Sequence, residues 1–249
     1  MSNMQLALNP NLDVPALTAA YRQRQRIQIR DLLELPSAQA VREELEKLPW
    51  GMAYRDGLRV VELYAAAVAR LDNREAARIM EAIREQARND YQFLYAYYPI
   101  LTAYFSPEVP DQPIFDLYEF INSAPVLDLV RNVTGLENIA WADAQATWFK
   151  PGHFLKAHTD KQEAEGRLAA YVFNFTSDWD PDGGGFLQFF DEQGDIEQAL
   201  KPAFNALNIF TIPQLHSVSM VSTWVTGKRL AMTGWFRSDS PPGRIGQRP

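Results

Sequence analysis

Two hydrophobic periods divide the chain. Up to about residue 138, apolar residues recur at helical spacing; from Ile139 they fall into short alternating runs separated by turns. In the first part, Asp13 followed by Val14-Pro15-Ala16-Leu17 supplies an acidic cap and a proline in the first turn, which predicts a helix to about Arg24. Arg26 to Leu33 contains the alternation Ile27, Ile29 and reads as a short strand. Ser37 to Leu48 is again helical, with Ser37 as its cap. Ile79, Ile83 and Ala87 stand four apart with charges between them. They predict the longest helix, from Asn73 to about Phe93. Ser106 to Pro113 is a loop. Ile114 to Val133 is helical, broken near Ser123-Ala124-Pro125 and ended by Gly135.

The second part predicts strands over Ala144 to Phe149, Leu168 to Thr176, Phe186 to Phe190, Ala206 to Ile212, His216 to Val221 and Arg229 to Phe236. Strands at this spacing suggest a sandwich or barrel. The fold class is therefore α+β: one domain over 1–249, with a mainly helical part (1–138), a β core (139–238) and a frayed tail (239–249). On the strand Leu168 to Thr176, one face carries Leu168, Ala170, Val172 and Asn174. The other carries Ala169, Tyr171, Phe173 and Phe175. The aromatic face suits packing under helices, and the smaller face leaves room for a ligand. Asn174 is either a polar contact in that interior or the strand's exposed end.

Composition narrows the function classes. The chain is 47% hydrophobic with a net charge of −7, which gives it no global attraction to nucleic acid or anionic lipid. No cysteine is present, so thiolate metal sites, disulfides and cysteine nucleophiles are excluded; this suits a reducing cytoplasm. The start lacks a basic segment followed by a long apolar run, so no signal peptide is expected. The longest apolar run, Tyr64 to Ala69, is too short to span a bilayer.

The chemistry concentrates in Phe154-Leu155-Lys156-Ala157-His158-Thr159-Asp160, followed downstream by His216 and Arg229. Residues i and i+2 on a strand share a face, so His158 and Asp160 can aim together into a barrel mouth, where His216 can join them. Two histidines and a carboxylate can occupy one face of an octahedral iron(II) and leave three positions open. Arg229 shares a face with Ala231, Thr233 and Trp235. It is either the bidentate partner of a carboxylate inside the barrel or a surface arginine beside Lys228, the second choice for an anion partner. The third histidine, His153, reads as a loop or surface residue. The acidic residues Glu163 and Glu165, and Asp178, Asp180 and Asp182, read as solvated turns. Trp148, Trp179, Trp224 and Trp235 read as core or interface.

These residues, with Phe149-Lys150-Pro151-Gly152, Gly166-Arg167, Trp179, Gly184-Gly185, Pro202-Ala203-Phe204, Phe210 and Gly234-Trp235-Phe236, resemble the 2-oxoglutarate- and iron(II)-dependent oxygenases of the prolyl-hydroxylase type. They are most similar to the ribosomal-protein prolyl hydroxylases. The resemblance covers roughly Ala144 to Arg237. It implies a double-stranded β-helix, or jelly roll, buttressed by the N-terminal helices. Iron is then held by His158, Asp160 and His216, and the 5-carboxylate of 2-oxoglutarate by Arg229. The reaction implied uses Fe(II), 2-oxoglutarate and O2, with ascorbate as a further candidate, and hydroxylates a prolyl residue of a protein or peptide. The alternatives are the same chemistry on a small molecule or another residue type, or a non-catalytic metal-binding barrel. Neither nucleic acid nor a membrane is expected as a partner. Two departures stand out. Many prolyl hydroxylases carry a tyrosine seven residues after the arginine of the Gly-Arg pair that also touches that carboxylate; this chain has Asn174 there, whose shorter amide either reaches the carboxylate through water or leaves the contact to Thr233. The ribosomal-protein enzymes also commonly carry a second, non-catalytic β-helix domain, for which these 249 residues have no room.

Overall fold

The computed structural model describes residues 4–160 and 166–246. In chain order its elements are α1 (Val14–Arg24), β1 (Arg26–Arg30), α2 (Leu35–Lys47), β2 (Met52–Asp56), β3 (Arg59–Leu63), α3 (Ala65–Val68), α4 (Asn73–Asn89), β4 (Phe93–Tyr98), α5 (Ile100–Tyr104), α6 (Ile114–Ile121) and α7 (Ala124–Thr134). There follow β5 (Trp141–Ala142), β6 (Gln145–Phe149), β7 (Phe154–His158), β8 (Arg167–Phe175), β9 (Leu187–Phe190), β10 (Ile196–Leu200), β11 (Phe204–Thr211), β12 (His216–Val218) and β13 (Arg229–Arg237).

Local chemistry sets several of these boundaries. The Asp13 carboxylate accepts the Ala16 N–H at 3.0 Å and opens α1. The Asp72 carboxylate does the same for Glu75 at 2.7 Å and opens α4. Gly135 takes φ 73° and donates its N–H to the Arg131 carbonyl, which closes α7. Three expectations change. First, α2 begins at Leu35, with Pro36 in its first turn, so Ser37 lies inside the helix. Its hydroxyl accepts the Ala7 N–H and donates to the Gln5 carbonyl, binding the N-terminal segment instead of capping the helix. Second, α4 stops at Asn89, and Phe93 opens a strand. Third, the part expected to be mainly helical contributes β2, β3 and β4, and β4 lies in the middle of the sheet.

The strands pair antiparallel in the order β1-β11-β8-β13-β6-β4-β7-β12-β9-β10; β2 joins β4, β3 joins β2, and β5 joins β13. This path rolls into a nearly closed jelly-roll barrel. Its two ends meet through side chains: Arg26 of β1 donates to Gln198 of β10 at 2.7 Å, pairs with Glu197, and lies over the Phe189 ring at 4.5 Å. The outer face of the larger sheet is the main core. There Ala169, Tyr171, Phe173 and Phe175 of β8 pack with Leu117, Tyr118, Val130 and Val133 of α6 and α7, as the alternation along β8 predicts. The chain past β13 is docked rather than frayed as far as residue 246: Ile245 packs on this core, and the Gly246 N–H donates to the Tyr104 hydroxyl at 2.8 Å.

Phe173 is fully buried under the helices. Phe173→Ala is therefore expected to cost about 3–5 kcal/mol of unfolding free energy in urea titration. Leu58→Ala, at a side chain 90% exposed, should change it by less than about 0.5 kcal/mol. Equal effects from the two would contradict this placement of the core.

Candidate metal and anion site

Strand register builds the site. His216 of β12 stands directly opposite His158 of β7, which brings the two imidazole centroids within 4.2 Å. Asp160 is not on the strand, as its i+2 spacing suggested. The strand ends at His158, and Asp160 takes φ 55°, which turns its carboxylate back between the rings. Its two oxygens lie 3.2 Å from His158 Nε2 and 3.5 Å from His216 Nε2. Metal bonds of about 2.1 Å at right angles separate neighbouring donor atoms by about 3 Å; the two gaps here are close to that, each made by a different Asp160 oxygen, and one ligand atom from each side chain lies within 4.8 Å of the others. The three side chains could hold a metal ion.

The surroundings prepare the donor atoms. His158 Nδ1 lies 3.0 Å from the Lys156 carbonyl and His216 Nδ1 lies 2.8 Å from the Gln214 carbonyl. A carbonyl can only accept, so each Nδ1 carries the proton and each Nε2 keeps its lone pair toward Asp160. Burial, with His158 alongside, pushes the His216 pKa down to about 4, so this ring is neutral near pH 7. Burial alone would raise the Asp160 pKa, but its position beside the His158 and His216 imidazoles and the N–H of Trp235 holds it below the usual carboxylate range. Trp235 Nε1 donates to Asp160 at 3.2 Å, and the Arg167 guanidinium stacks on the Trp235 ring at 3.6 Å. On the other side Tyr91 lies over His158, with centroids 5.4 Å apart.

The second feature lies deeper in the barrel. Arg229 is 2% exposed and has no carboxylate within 4 Å among the described residues. Its Nε donates to the Gly185 carbonyl at 2.6 Å, and its guanidinium lies over Phe149 at 4.5 Å. Burial pushes its pKa down to about 9. Gly185 must be glycine, because a Cβ there would come within 2.8 Å of Arg229 Cδ. Two residues along the same face is Ala231, flanked in register by Asn174 of β8 and Thr147 of β6. Asn174 Oδ1 and Thr147 Oγ1 are both buried without a hydrogen-bond partner. An unpaired cation and two orphaned polar atoms thus share one enclosed wall, which is the donor set a carboxylate with bound water would satisfy.

Asn174 accordingly faces the interior at 1% exposure, with its amide N–H groups on the Val172 and Ala206 carbonyls. Thr233 sits half-buried on that inner wall, opposite Val172. Lys228 is not available as the anion partner, since its ammonium pairs with Glu46 at 3.3 Å on the outside. His153 lies in a loop as expected but is half-buried, and burial pushes its pKa down to about 4 in spite of a hydrogen bond with the Trp148 backbone. Asp178, Asp180 and Asp182 are exposed, whereas Glu163 and Glu165 lie outside the described residues. Trp179 is core, but Trp224 is 65% exposed. Thr147, Tyr91 and Trp235 are the site residues that sequence reasoning did not assign. The alternation along β6, which places Thr147 with Phe149, is the signal that could have found Thr147.

Residues 144–237 match the model of the 2OG-Fe(II) oxygenase superfamily. Prolyl 3-hydroxylase OGFOD1 of Mus musculus is 30% identical over 118 residues, 45% of this chain and 21% of that protein, so the match spans about a fifth of the relative's length. Among solved structures, an oxidoreductase of the 2OG-Fe(II) oxygenase family from Burkholderia pseudomallei superposes with a TM-score of 0.62 at 12% identity, covering 99% of this chain and all of that one. A prolyl hydroxylase from Trichoplax adhaerens, in complex with a peptide fragment of the hypoxia-inducible factor oxygen degradation domain, superposes at 0.59 and 14% identity, over 90% of this chain and 89% of that one. Both share the fold.

The half-buried His153 has a measurable consequence. Its folded pKa of about 4 lies below its unfolded value of 6.5, so the unfolded chain binds the proton first as pH falls. The stability this neutral ring contributes is present above pH 6.5 and is lost as pH falls toward 4, at most about 3 kcal/mol. Urea unfolding should show a smaller loss over that window in His153→Gln than in the parent chain. An identical pH dependence in both would place the ring in solvent.

Proposed function

We propose that this chain, which carries a 2OG-Fe(II) oxygenase domain over residues 144–237, is an iron(II)- and 2-oxoglutarate-dependent hydroxylase acting on a prolyl residue of a protein. The observation that carries the reading is the guanidinium of Arg229, buried without a counter-ion among the described residues inside the same barrel as the His158, Asp160 and His216 donor set. A metal site alone does not require such a group, but a metal site that also anchors a dicarboxylate does. The prolyl assignment rests on the likeness to prolyl 3-hydroxylase OGFOD1 over the matched stretch.

Each group then has a role. His158 Nε2, His216 Nε2 and an Asp160 oxygen would hold the iron(II). Bound there with 2-oxoglutarate and O2, iron(II) would supply the oxidation that turns a C–H bond into C–OH, with 2-oxoglutarate converted to succinate and CO2. Arg229 fixes the far carboxylate of 2-oxoglutarate with its unused Nη groups, and Thr147, Asn174 and Thr233 line the path between that carboxylate and the metal ligands. The Lys156 and Gln214 carbonyls lock the imidazoles in the tautomer that ligates. Trp235 restrains the Asp160 carboxylate by holding one of its oxygens. Phe149, Phe189 and Phe210 wall the interior and exclude water, which keeps the charge on Arg229 strongly felt by the co-substrate.

Two outcomes test this. His158→Ala, Asp160→Ala and His216→Ala should each abolish iron-dependent succinate formation while the fold persists, and His153→Ala should retain it. Full turnover in any of the three would remove that residue from the ligand set. Separately, Arg229→Ala should weaken 2-oxoglutarate binding to the metal-loaded protein by about 3 kcal/mol, on the order of 100-fold, in equilibrium dialysis. Metal affinity should be little changed. Unchanged 2-oxoglutarate affinity would remove Arg229 from the anion site.

A further inference from the structure

The hairpin of β2 and β3 hangs from β4, and among the described residues β3 pairs only with β2, which leaves its other edge free. Val60, Glu62 and Tyr64 alternate along one face of this strand and its end. Val60 is 59% and Tyr64 56% exposed, and Leu58 at the turn is 90% exposed. An exposed apolar edge is a template for another strand, and edges are usually covered or blunted. Beside it opens a cavity of about 180 Å³, lined by Glu62, Tyr97, Asp143, Gln145, Thr233 and Trp235 among others. Two carboxylates and no cation line this cavity. Asp143 is engaged by Arg237 at 3.3 Å and by the Trp235 N–H at 2.8 Å, but Glu62 has no cationic partner among the described residues. Tyr97, 1% exposed, places its hydroxyl there beside the Glu62 carboxylate. Trp235 lines the cavity and also donates to Asp160, so the cavity and the metal ligands share a wall one side chain thick.

We propose that this cleft receives a basic side chain of the substrate polypeptide, which lies extended along the free edge of β3 and delivers a residue one or two positions away to the His158, Asp160 and His216 centre. The inference rests on the preceding reading that the substrate is a polypeptide. Backbone pairing on β3 holds the segment whatever its sequence, and the pocket for an alternate side chain supplies selectivity. A lysine ammonium donates to Glu62 and to the Tyr97 oxygen, and its aliphatic stem covers Val60 and Tyr64. The overall charge of −7 favours encounter with a basic partner.

The test uses fluorescein-labelled peptides with one central proline and Lys, Ala or Glu at the flanking positions. Anisotropy titrations against the metal-free protein read binding, and succinate formation by the iron-loaded protein reads turnover. Lys-flanked peptides should bind about tenfold more tightly than Glu-flanked ones, a difference of about 1.4 kcal/mol. Glu62→Gln should remove that preference and Glu62→Lys should reverse it, each with 2-oxoglutarate affinity unchanged. Methylating alternate backbone nitrogens on the strand-facing side should weaken binding, whereas methylating the intervening ones should not. The inference is overturned if no peptide binds, if flanking charge has no effect, if the preference survives Glu62→Gln, or if both methylation patterns act alike. A Lys preference without succinate formation on any peptide would support the cleft and contradict prolyl hydroxylation. Succinate formation without the preference would do the reverse.

Discussion

A guanidinium sealed inside a barrel without a counter-ion is the constraint on which the site depends. Taking a charge out of water costs several kcal/mol unless it is paired, and among the described residues Arg229 has one carbonyl, from Gly185, and one aromatic face, from Phe149. The lowered pKa of Arg229 has the same cause. The fold tolerates that cost in the barrel wall because the main core lies on the other face of the same sheet, where β8 packs under α6 and α7. A small dicarboxylate that enters the interior relieves the cost, and the relief appears as binding energy. Stability of the empty barrel and affinity for the anion are thus opposite sides of one charge.

Register converts this wall into a site. The pairing of β7 with β12 sets His158 against His216, and the pairing of β13 with β6 and β8 sets Ala231 between Thr147 and Asn174. A slip of one residue in either pairing would turn half of these side chains outward. Trp235 ties the two regions together, since it lies on the strand that begins at Arg229 and holds the Asp160 carboxylate.

The donor residues were legible in the sequence because histidine is scarce in this chain and the order His158, Asp160, His216, Arg229 is dense in chemistry. The inner and outer faces of β8 were legible from alternation, which needs only local order. What could not be read was set by distant partners. The run Phe93–Tyr98 follows directly on a helical pattern, and its strand state depends on pairing with β6 and β7, far along the chain. Ser37 looks like a cap until the N-terminal segment arrives to use its hydroxyl. Asp160 lies at the correct spacing for a strand, but the backbone reverses there, so the three side chains do come together while the local geometry assigned to Asp160 differs. Asn174 could have been interior or exposed, because alternation fixes its face but not whether the strand's end is covered.

The central claim joins one metal to one dicarboxylate in a single enclosed site. Its most direct test is an anaerobic titration of the iron(II)-loaded protein with 2-oxoglutarate, followed by visible absorption. The account predicts a charge-transfer band that appears only when both are present and saturates at one 2-oxoglutarate per chain. Saturable 2-oxoglutarate binding with no such band, or no binding at all, would contradict it.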